Sequence, residues 1–245
     1  MEIIHIVITK FNLAPINAKN SDPKPYLGSW LTSRCNLFEQ FCLPTVKAQS
    51  VQSFKWLLLF EHTTPNSIIS KYADGNIVPI AVDSTQFKKR SEIVKHYVAK
   101  QIEGNKGKIL ITTRLDNDDM LNSNYFELLQ QWVKHNYYEK PTILQFTKGS
   151  QFNTSTQKWQ RISTKKAYCN PFISLVETIG HNPIYTVNHI GHVRMRNHFE
   201  IKNLKHKNAW CQIIHNNNIA NEWKTGLKIQ RSLSNLRPEG FEFKG

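Results

Sequence analysis

Four apolar runs, near residues 3 to 9, 54 to 61, 76 to 82 and 108 to 115, alternate with segments whose apolar residues recur at helical spacing. A strand that is apolar on both faces must be covered on both faces. Helices placed between successive strands supply that cover and leave the strands parallel, so the chain is restricted to an α/β arrangement. The first run, Ile3-Ile4-His5-Ile6-Val7-Ile8, reads as the first buried strand, being too short for a membrane span and lacking the basic lead-in and small-residue cleavage site of a leader. Ser29 to Gln49 predicts a helix through Leu31, Cys35, Phe38, Phe41 and Cys42, with Pro44 expected to end or kink it. Ser91 to Glu103 predicts a second, with Ser91 placed as its cap and Ile93, Val94, Tyr97, Val98 and Ile102 on the buried face. A third runs from Ser123 to Asn136. Beyond it, Thr142 to Thr147 and Lys158 to Thr164 predict strands joined by the polar turn Lys148 to Thr156, so a hairpin follows the parallel part and the sheet becomes mixed. A short strand, Trp210 to Ile214, comes last.

The fourth run carries the densest chemistry. Lys108-Ile-Leu-Ile-Thr-Thr-Arg-Leu ends in three carboxylates, Asp116, Asp118 and Asp119. Open α/β sheets bind ligands just beyond the carboxyl ends of their strands, so residues 109 to 115 point these acids at the crevice. Carboxylates this close repel one another, and a hard divalent cation, Mg²⁺ or Mn²⁺, relieves the repulsion while sharing its oxygen ligands with a phosphate. The competing reading is a turn and helix cap, since Asp and Asn bond nearby backbone amides and Leu121-Asn-Ser-Asn-Tyr-Phe opens a helical pattern. A calcium loop of the EF-hand kind is excluded by apolar Met120 and Leu121, where that loop would continue its ligands.

Lys and Arg number 32 against 18 Asp and Glu, a net charge of +14, which attracts an anionic partner without identifying it. The basic residues are scattered, with small clusters at Lys88-Lys89-Arg90, Lys165-Lys166 and Lys202 to Lys207; only the first sits where a phosphate would lie. No nucleic-acid recognition motif or interleaved basic and aromatic stripe occurs. A nucleic-acid-binding or metal-dependent nucleic-acid-processing protein is therefore the alternative function rather than the first. Cys35 and Cys42, seven positions apart on a helix, stand roughly 10 Å from each other and beyond disulfide reach. With Cys169 and Cys211 isolated, reduced thiols in a cytoplasmic protein are expected, with peripheral membrane contact left open. His189 and His192 lack the partners and spacing of a zinc site. His215 ends the apolar strand Trp210 to Ile214 and precedes three asparagines, a setting that suits a polar site and gives it a metal or phosphate as candidate ligand.

The ordered segments Trp30-Leu-Thr-Ser-Arg34 with Phe38, Cys42-Leu-Pro-Thr-Val46 with Gln49, Phe54-Lys-Trp-Leu-Leu-Leu-Phe60, Thr113-Arg-Leu-Asp-Asn-Asp-Asp-Met-Leu-Asn122, and Ala209-Trp-Cys-Gln212 with His215, Asn218 and Asn221 together resemble the rhamnosyltransferase family of glycosyltransferases. The resemblance spans most of the chain and rests on the order of the segments, no one of which is decisive alone. It implies a GT-A type, Rossmann-like mixed sheet flanked by helices, parallel in its N-terminal half and with antiparallel strands in the second. It also implies a single domain over residues 1 to 245, with a nucleotide-binding half (1 to 122) and an acceptor-binding half with a C-terminal tail (123 to 245).

The activity so implied is transfer of a hexosyl unit, with L-rhamnose the expected sugar, from a dTDP- or UDP-linked nucleoside diphosphate sugar to a hydroxyl on a glycan or glycoconjugate, assisted by Mn²⁺ or Mg²⁺. Asp116 and Asp118 match the family's Asp-x-Asp element. Asp118 is then a metal ligand, Asp116 contacts the metal or donor ribose, Asp119 completes or orients the catalytic site, and His215 is a late metal or diphosphate ligand. Arg34, Arg90 and Arg114 are candidates for the diphosphate, because a guanidinium matches phosphate oxygens with two bonds; a surface ion pair is the competing reading for Arg34 and Arg90. Thr9, Phe11 and Asn12 lie at the crevice edge that cradles base and ribose in similar folds, where Phe11 either stacks on the base or fills the core. Asp83 either accepts from base or ribose or serves a turn with Ser84. An inverting transfer needs a general base to take the acceptor proton. Glu177, after the apolar lead-in Pro171 to Val176, is the candidate, against the reading of a surface Glu opening a loop.

Overall fold

The structure, a computed structural model, describes residues 2–13, 28–136, 139–180, 184–215 and 237–243. The four apolar runs become β1 (Ile3–Lys10), β2 (Lys55–Glu61), β3 (Ile77–Val82) and β4 (Ile109–Arg114). They lie parallel in the order β4-β1-β2-β3. The sheet continues past β4 through β9 (Ile173–Thr178), β6 (Thr142–Phe146) and β10 (Glu200–Leu204), making seven strands of which β9 alone runs opposite to its neighbours.

Alternate side chains of the central strands feed two cores, as the two-residue period of a strand requires. Val7, Trp56, Leu58, Phe60 and Ile111 face one way, onto α1 (Ser29–Leu37), α2 (Leu43–Lys47) and α5 (Tyr125–His135). Ile6, Ile8, Leu57, Leu59 and Leu110 face the other, onto α4 (Arg90–Ile102), whose Ile93, Val94, Val98 and Ile102 are the buried stripe read from the sequence.

Two helix details differ from expectation. Pro44 does not end its helix: a π-helical turn, Phe38–Cys42, widens the chain just ahead of it, and helical structure continues through the proline to Lys47 at the end of α2. Ser91 does not cap α4; Lys89 holds that position, and Glu92 reaches back to accept from the backbone N–H of Lys88 and Lys89 at 3.0 and 3.3 Å.

The expected hairpin is a correction of more consequence. Residues placed in a polar turn form β7 (Lys148–Asn153), which pairs antiparallel with β8 (Lys158–Ser163), while β6 belongs to the large sheet. β7 and β8 join β5 (Met120–Leu121) and β11 (Trp210–Ile214) in a second, four-stranded sheet, ordered β5-β11-β7-β8. Buried polar residues of β7 are satisfied laterally: Ser150 donates to Asn208 Oδ1 at 2.7 Å, and Gln160 Nε2 and Gln212 meet Gln151 at 2.6 and 3.2 Å.

The two sheets meet at Trp210. Its ring stacks on Phe172 with centroids 4.6 Å apart, its Nε1 donates to Phe146 O at 2.8 Å, and it lies flat over Gly149, where an added Cβ would fall 2.3 Å from the indole. Gly149→Ala is expected to cost about 1–3 kcal/mol, the usual range for overpacking a filled core. The midpoint of chemical denaturation measures it. Loss of less than a few tenths of a kcal/mol would mean that Trp210 has room to move.

Candidate active site

The loop from Leu115 to Asp119 links β4 of the large sheet to β5, the first strand of the small one. Its acids therefore stand where three parts of the chain converge: the C-terminal ends of β4 and β1, the helix α1, and the residues just beyond β11. Pairing of β5 with β11, Cys211 against Met120 and Trp210 against Leu121, carries the chain from Ile213 to His215 past the acids. The site is a product of sheet register.

Asp118 is the centre. Its Oδ2 accepts from Arg34 Nη1 at 2.5 Å and meets His215 Nε2 at 3.0 Å, all three side chains being buried. Burial alone would push the Asp118 carboxyl up, but the hydrogen bond from His215 and the charge and hydrogen bond of Arg34 together hold it below the usual carboxylate value. Arg34 is itself steered by the Trp30 ring, 5.1 Å from the guanidinium, and by Asn117 Oδ1 at 3.5 Å. Asn117 in turn donates to Phe11 O at 2.9 Å, tying the acidic loop to the end of β1.

Asp119 differs from its neighbour although the two are adjacent. Oδ1 accepts from Ile213 N at 3.1 Å, while Oδ2 is buried with no hydrogen-bond partner among the described residues. Burial raises its pKa well above the ordinary carboxylate value, and the negative charges of Asp118 and Asp116 push the same way. Asp116 turns outward, where its Oδ2 accepts from Arg114 Nη2 at 2.5 Å; Arg114 Nη1 donates to Pro171 O at 2.6 Å. The structure thus brings Asp118, Asp119, Arg34 and His215 together. It sets Asp116 and Arg114 beside them on the more open flank.

The other candidates fall elsewhere. Phe11 fills the core: it is 2 % exposed and stacks on Phe60 at 4.4 Å and Tyr72 at 5.9 Å, so base stacking is not open to its ring. Thr9 is buried, accepting from Trp56 Nε1 at 2.9 Å. Asn12 braces the crevice edge rather than facing it, accepting from Glu61 N at 3.0 Å and donating to Thr64 at 2.8 Å. Asp83 takes its turn role, accepting from Thr85 N, Thr85 Oγ1 and Gln86 Nε2 at 3.1, 2.5 and 2.9 Å. Arg90 donates to Leu13 O at 2.5 Å, at the mouth of a cavity that Arg114 also lines. Asn218, Asn221 and the tail after Trp223 lie outside the described residues.

Glu177 needs the largest revision. β9 runs antiparallel to β4 and pairs Glu177 with Leu110, six positions before Asp116. At about 3.3 Å per residue the carboxylate is roughly 20 Å from the acids, at the opposite margin of the sheet. There it accepts from Tyr185 N at 2.8 Å and Thr186 N at 3.0 Å, holding a corner in which Thr186 has φ +64°. Glu177→Gln is expected to lower stability by about 1–3 kcal/mol, because one of two buried backbone donors loses its acceptor. Transfer should fall less than tenfold, against the 10²–10⁴-fold expected from removal of a general base. Parallel melting and initial-rate measurements check this; a loss of 10²-fold or more in a folded variant would return Glu177 to the chemistry.

Glu61 and His62 were missed. They end β2 as the acids end β4, so the same signal of an apolar run closing on charge was present. With Asp83 they form the one close trio of carboxylate and imidazole groups among the described residues. Glu61 Oε1 accepts from His62 Nδ1 at 2.9 Å and Ser84 N at 3.2 Å, which lashes the ends of β2 and β3 together beside the crevice.

A mixed sheet flanked by helices, with an acidic loop after its fourth strand and a small second sheet closing over it, defines the GT-A type of glycosyltransferase fold. The family described as "Putative rhamnosyl transferase" matches residues 20–226, and the chain belongs to that family. Among solved structures, residues 1–349 of Staphylococcus aureus TarS align with 86% of this chain and 60% of their own, at 11% identity and a TM-score of 0.50. The same TarS fragment crystallised with UDP aligns with 87% of this chain and 61% of its own, at 11% identity and a TM-score of 0.49. The chain thus spans about 60% of the TarS fragments it resembles. Curated proteins give no match. No helix of the described residues is long and apolar enough to cross a membrane.

Proposed function

We propose that this protein transfers a rhamnosyl-type sugar from a dTDP- or UDP-linked donor to a hydroxyl on a glycan or glycoconjugate. The observation that carries the reading is Asp118, whose buried carboxylate receives both Arg34 and His215 at the C-terminal margin of a sheet that belongs to a sugar-transferring family. Such a margin is where α/β folds hold phosphorylated ligands.

Two of the ligands a divalent cation needs are already together at this margin. Asp118 Oδ2 and His215 Nε2 converge at 3.0 Å, and Asp119 presents an oxygen that is buried and unpartnered among the described residues. Carboxylate oxygen with one imidazole suits Mn²⁺, and oxygen alone suits Mg²⁺. Asp118 and His215 would hold the ion; Asp119 lies beside them without closing a trio with the pair and would have to turn toward it to join, and Asp116 would touch the ion or the donor ribose. When bound, such an ion offsets negative charge on a departing diphosphate. Arg34 holds the carboxylate in place in its absence, and Arg114, fixed by Pro171 O and Asp116, offers a guanidinium toward the diphosphate from the open flank.

The reading is tested by calorimetric titration of UDP and of dTDP, each with and without Mn²⁺. Metal-linked binding of one nucleotide, lost on Asp118→Ala, is the expected result. Absence of any metal-linked binding, with no change on Asp118→Ala, overturns the reading.

A further inference from the structure

A cavity of about 490 Å³ opens on the flank where Asp116 and Arg114 stand, and it is walled by both halves of the chain. Lys10, at the end of β1, and Lys89 and Arg90, at the start of α4, form one wall; His192 and Arg194, from the segment after β9, form the other; Arg114 is at the seam. No carboxylate lines it among the described residues. Two of its guanidinium groups are already immobilised, Arg90 by Leu13 O and Arg114 by Pro171 O and Asp116, so they are held in place before any ligand enters. The opposite wall is fixed as well: Val187 N donates to Thr112 Oγ1 of β4 at 2.8 Å, and Glu177 clamps the strained corner at Thr186 that launches the segment.

Cations do not crowd one small cavity without consequence. Burial lowers the Lys10 ammonium to about 8, with Arg114 and Arg90 repelling it further and Asp116 opposing them. An anion in the cavity would reverse that strain, which is the property of a preformed anion site. The diphosphate of a donor accounts for Arg114, and Arg90 is held by Leu13 O; Lys10, His192 and Arg194 remain, and the last two come from the half of the chain opposite the nucleotide-binding one.

We propose that the Lys10–His192–Arg194 side of this cavity is a second anion subsite, distinct from the donor's, and that it holds a phosphate or carboxylate group carried by the acceptor sugar. The proposal rests on the transferase reading above and narrows it: the acceptor is an acidic glycan, presented with its charge anchored and a neighbouring hydroxyl turned toward the donor. Charge-assisted hydrogen bonds from Arg194 and Lys10 would give the acceptor its register.

Inorganic phosphate, glucose 6-phosphate and glucose, titrated onto protein saturated with UDP or dTDP, provide the test. Phosphate and glucose 6-phosphate should bind with the nucleotide in place, glucose should not, and Arg194→Gln should weaken both anions at least tenfold, with partial rescue by Arg194→Lys. Nucleotide affinity should change less than twofold in the same variants. Competition between phosphate and nucleotide for one site would overturn the proposal, because the cavity would then be the donor's diphosphate cradle alone. Equal anion binding by wild type and Arg194→Gln would overturn it too. Failure of the transferase reading looks different: neither nucleotide binds, while Arg194-dependent phosphate binding to the free protein persists, which also removes the acceptor from the proposal.

Discussion

Asp118→Asn is expected to abolish metal-linked nucleotide binding and to lower sugar transfer by about 10²–10³-fold, roughly 3–4 kcal/mol of transition-state stabilisation. The substitution preserves shape, so the loss measures charge. Asp118 is buried between Arg34 and His215, and its removal leaves Arg34 without the carboxylate it points at. A buried ion pair broken from one side costs about 3–5 kcal/mol of stability, so a fall in activity alone would be ambiguous. Arg34→Met separates the two effects. It breaks the same ion pair and carries a similar folding penalty, yet leaves the carboxylate and His215 in place. If Asp118 acts through a cation, Arg34→Met retains metal-linked nucleotide binding while Asp118→Asn loses it. Equal loss in both variants, tracking their melting temperatures, would reduce Asp118 to a structural anchor.

What could be read from the sequence follows from which forces leave a local trace. The parallel strands are apolar on both faces, and each emerged within a residue or two of its predicted bounds. β7 left no such trace because Gly149 is covered by the Trp210 ring and Ser150 and Gln151 are buried by satisfying their polar groups against Asn208, Gln212 and Gln160, residues 9 to 61 positions away. Hydrophobic periodicity cannot register a strand whose burial is compensated by an amide network. The acids and His215 were legible as chemistry, and their meeting depended on register, since only the β5–β11 pairing sets Ile213 and His215 against Asp119 and Asp118. Glu177 shows the limit most clearly. Its apolar lead-in is a true strand, but strand direction is not written in composition, and the antiparallel course of β9 carries the carboxylate to the wrong margin. Phe11 was ambiguous for a related reason: an aromatic residue at a strand end serves a ligand or a core with the same side chain, and here Phe60 and Tyr72 had already taken its faces.

His5 should make the fold acid-sensitive. Its ring is enclosed by Phe126 at 4.9 Å and Phe54 at 6.4 Å; Gln130 donates to Nδ1 at 3.2 Å, which leaves Nε2 to donate to Thr113 Oγ1 at 2.8 Å. This arrangement satisfies a neutral imidazole completely and offers no acceptor to a second N–H. Burial accordingly lowers its pKa from 6.5 to about 3. The folded pKa lies below the unfolded one, so above pH 6.5 both states bind no proton and His5 leaves stability unaffected. Between pH 6.5 and 3 the unfolded chain takes up a proton that the folded one refuses. Stability therefore falls as pH falls, by about 1.4 kcal/mol per unit and on the order of 4 kcal/mol across the window. Denaturation midpoints from pH 7 down to 4 measure the slope. His5→Gln, which keeps a donor and an acceptor without a titrating ring, should flatten it while costing some stability at pH 7 through imperfect packing against Phe126. A wild-type slope unchanged by that substitution would place the acid sensitivity in the carboxylates instead, with Asp118, whose pKa is lowered, the first to examine.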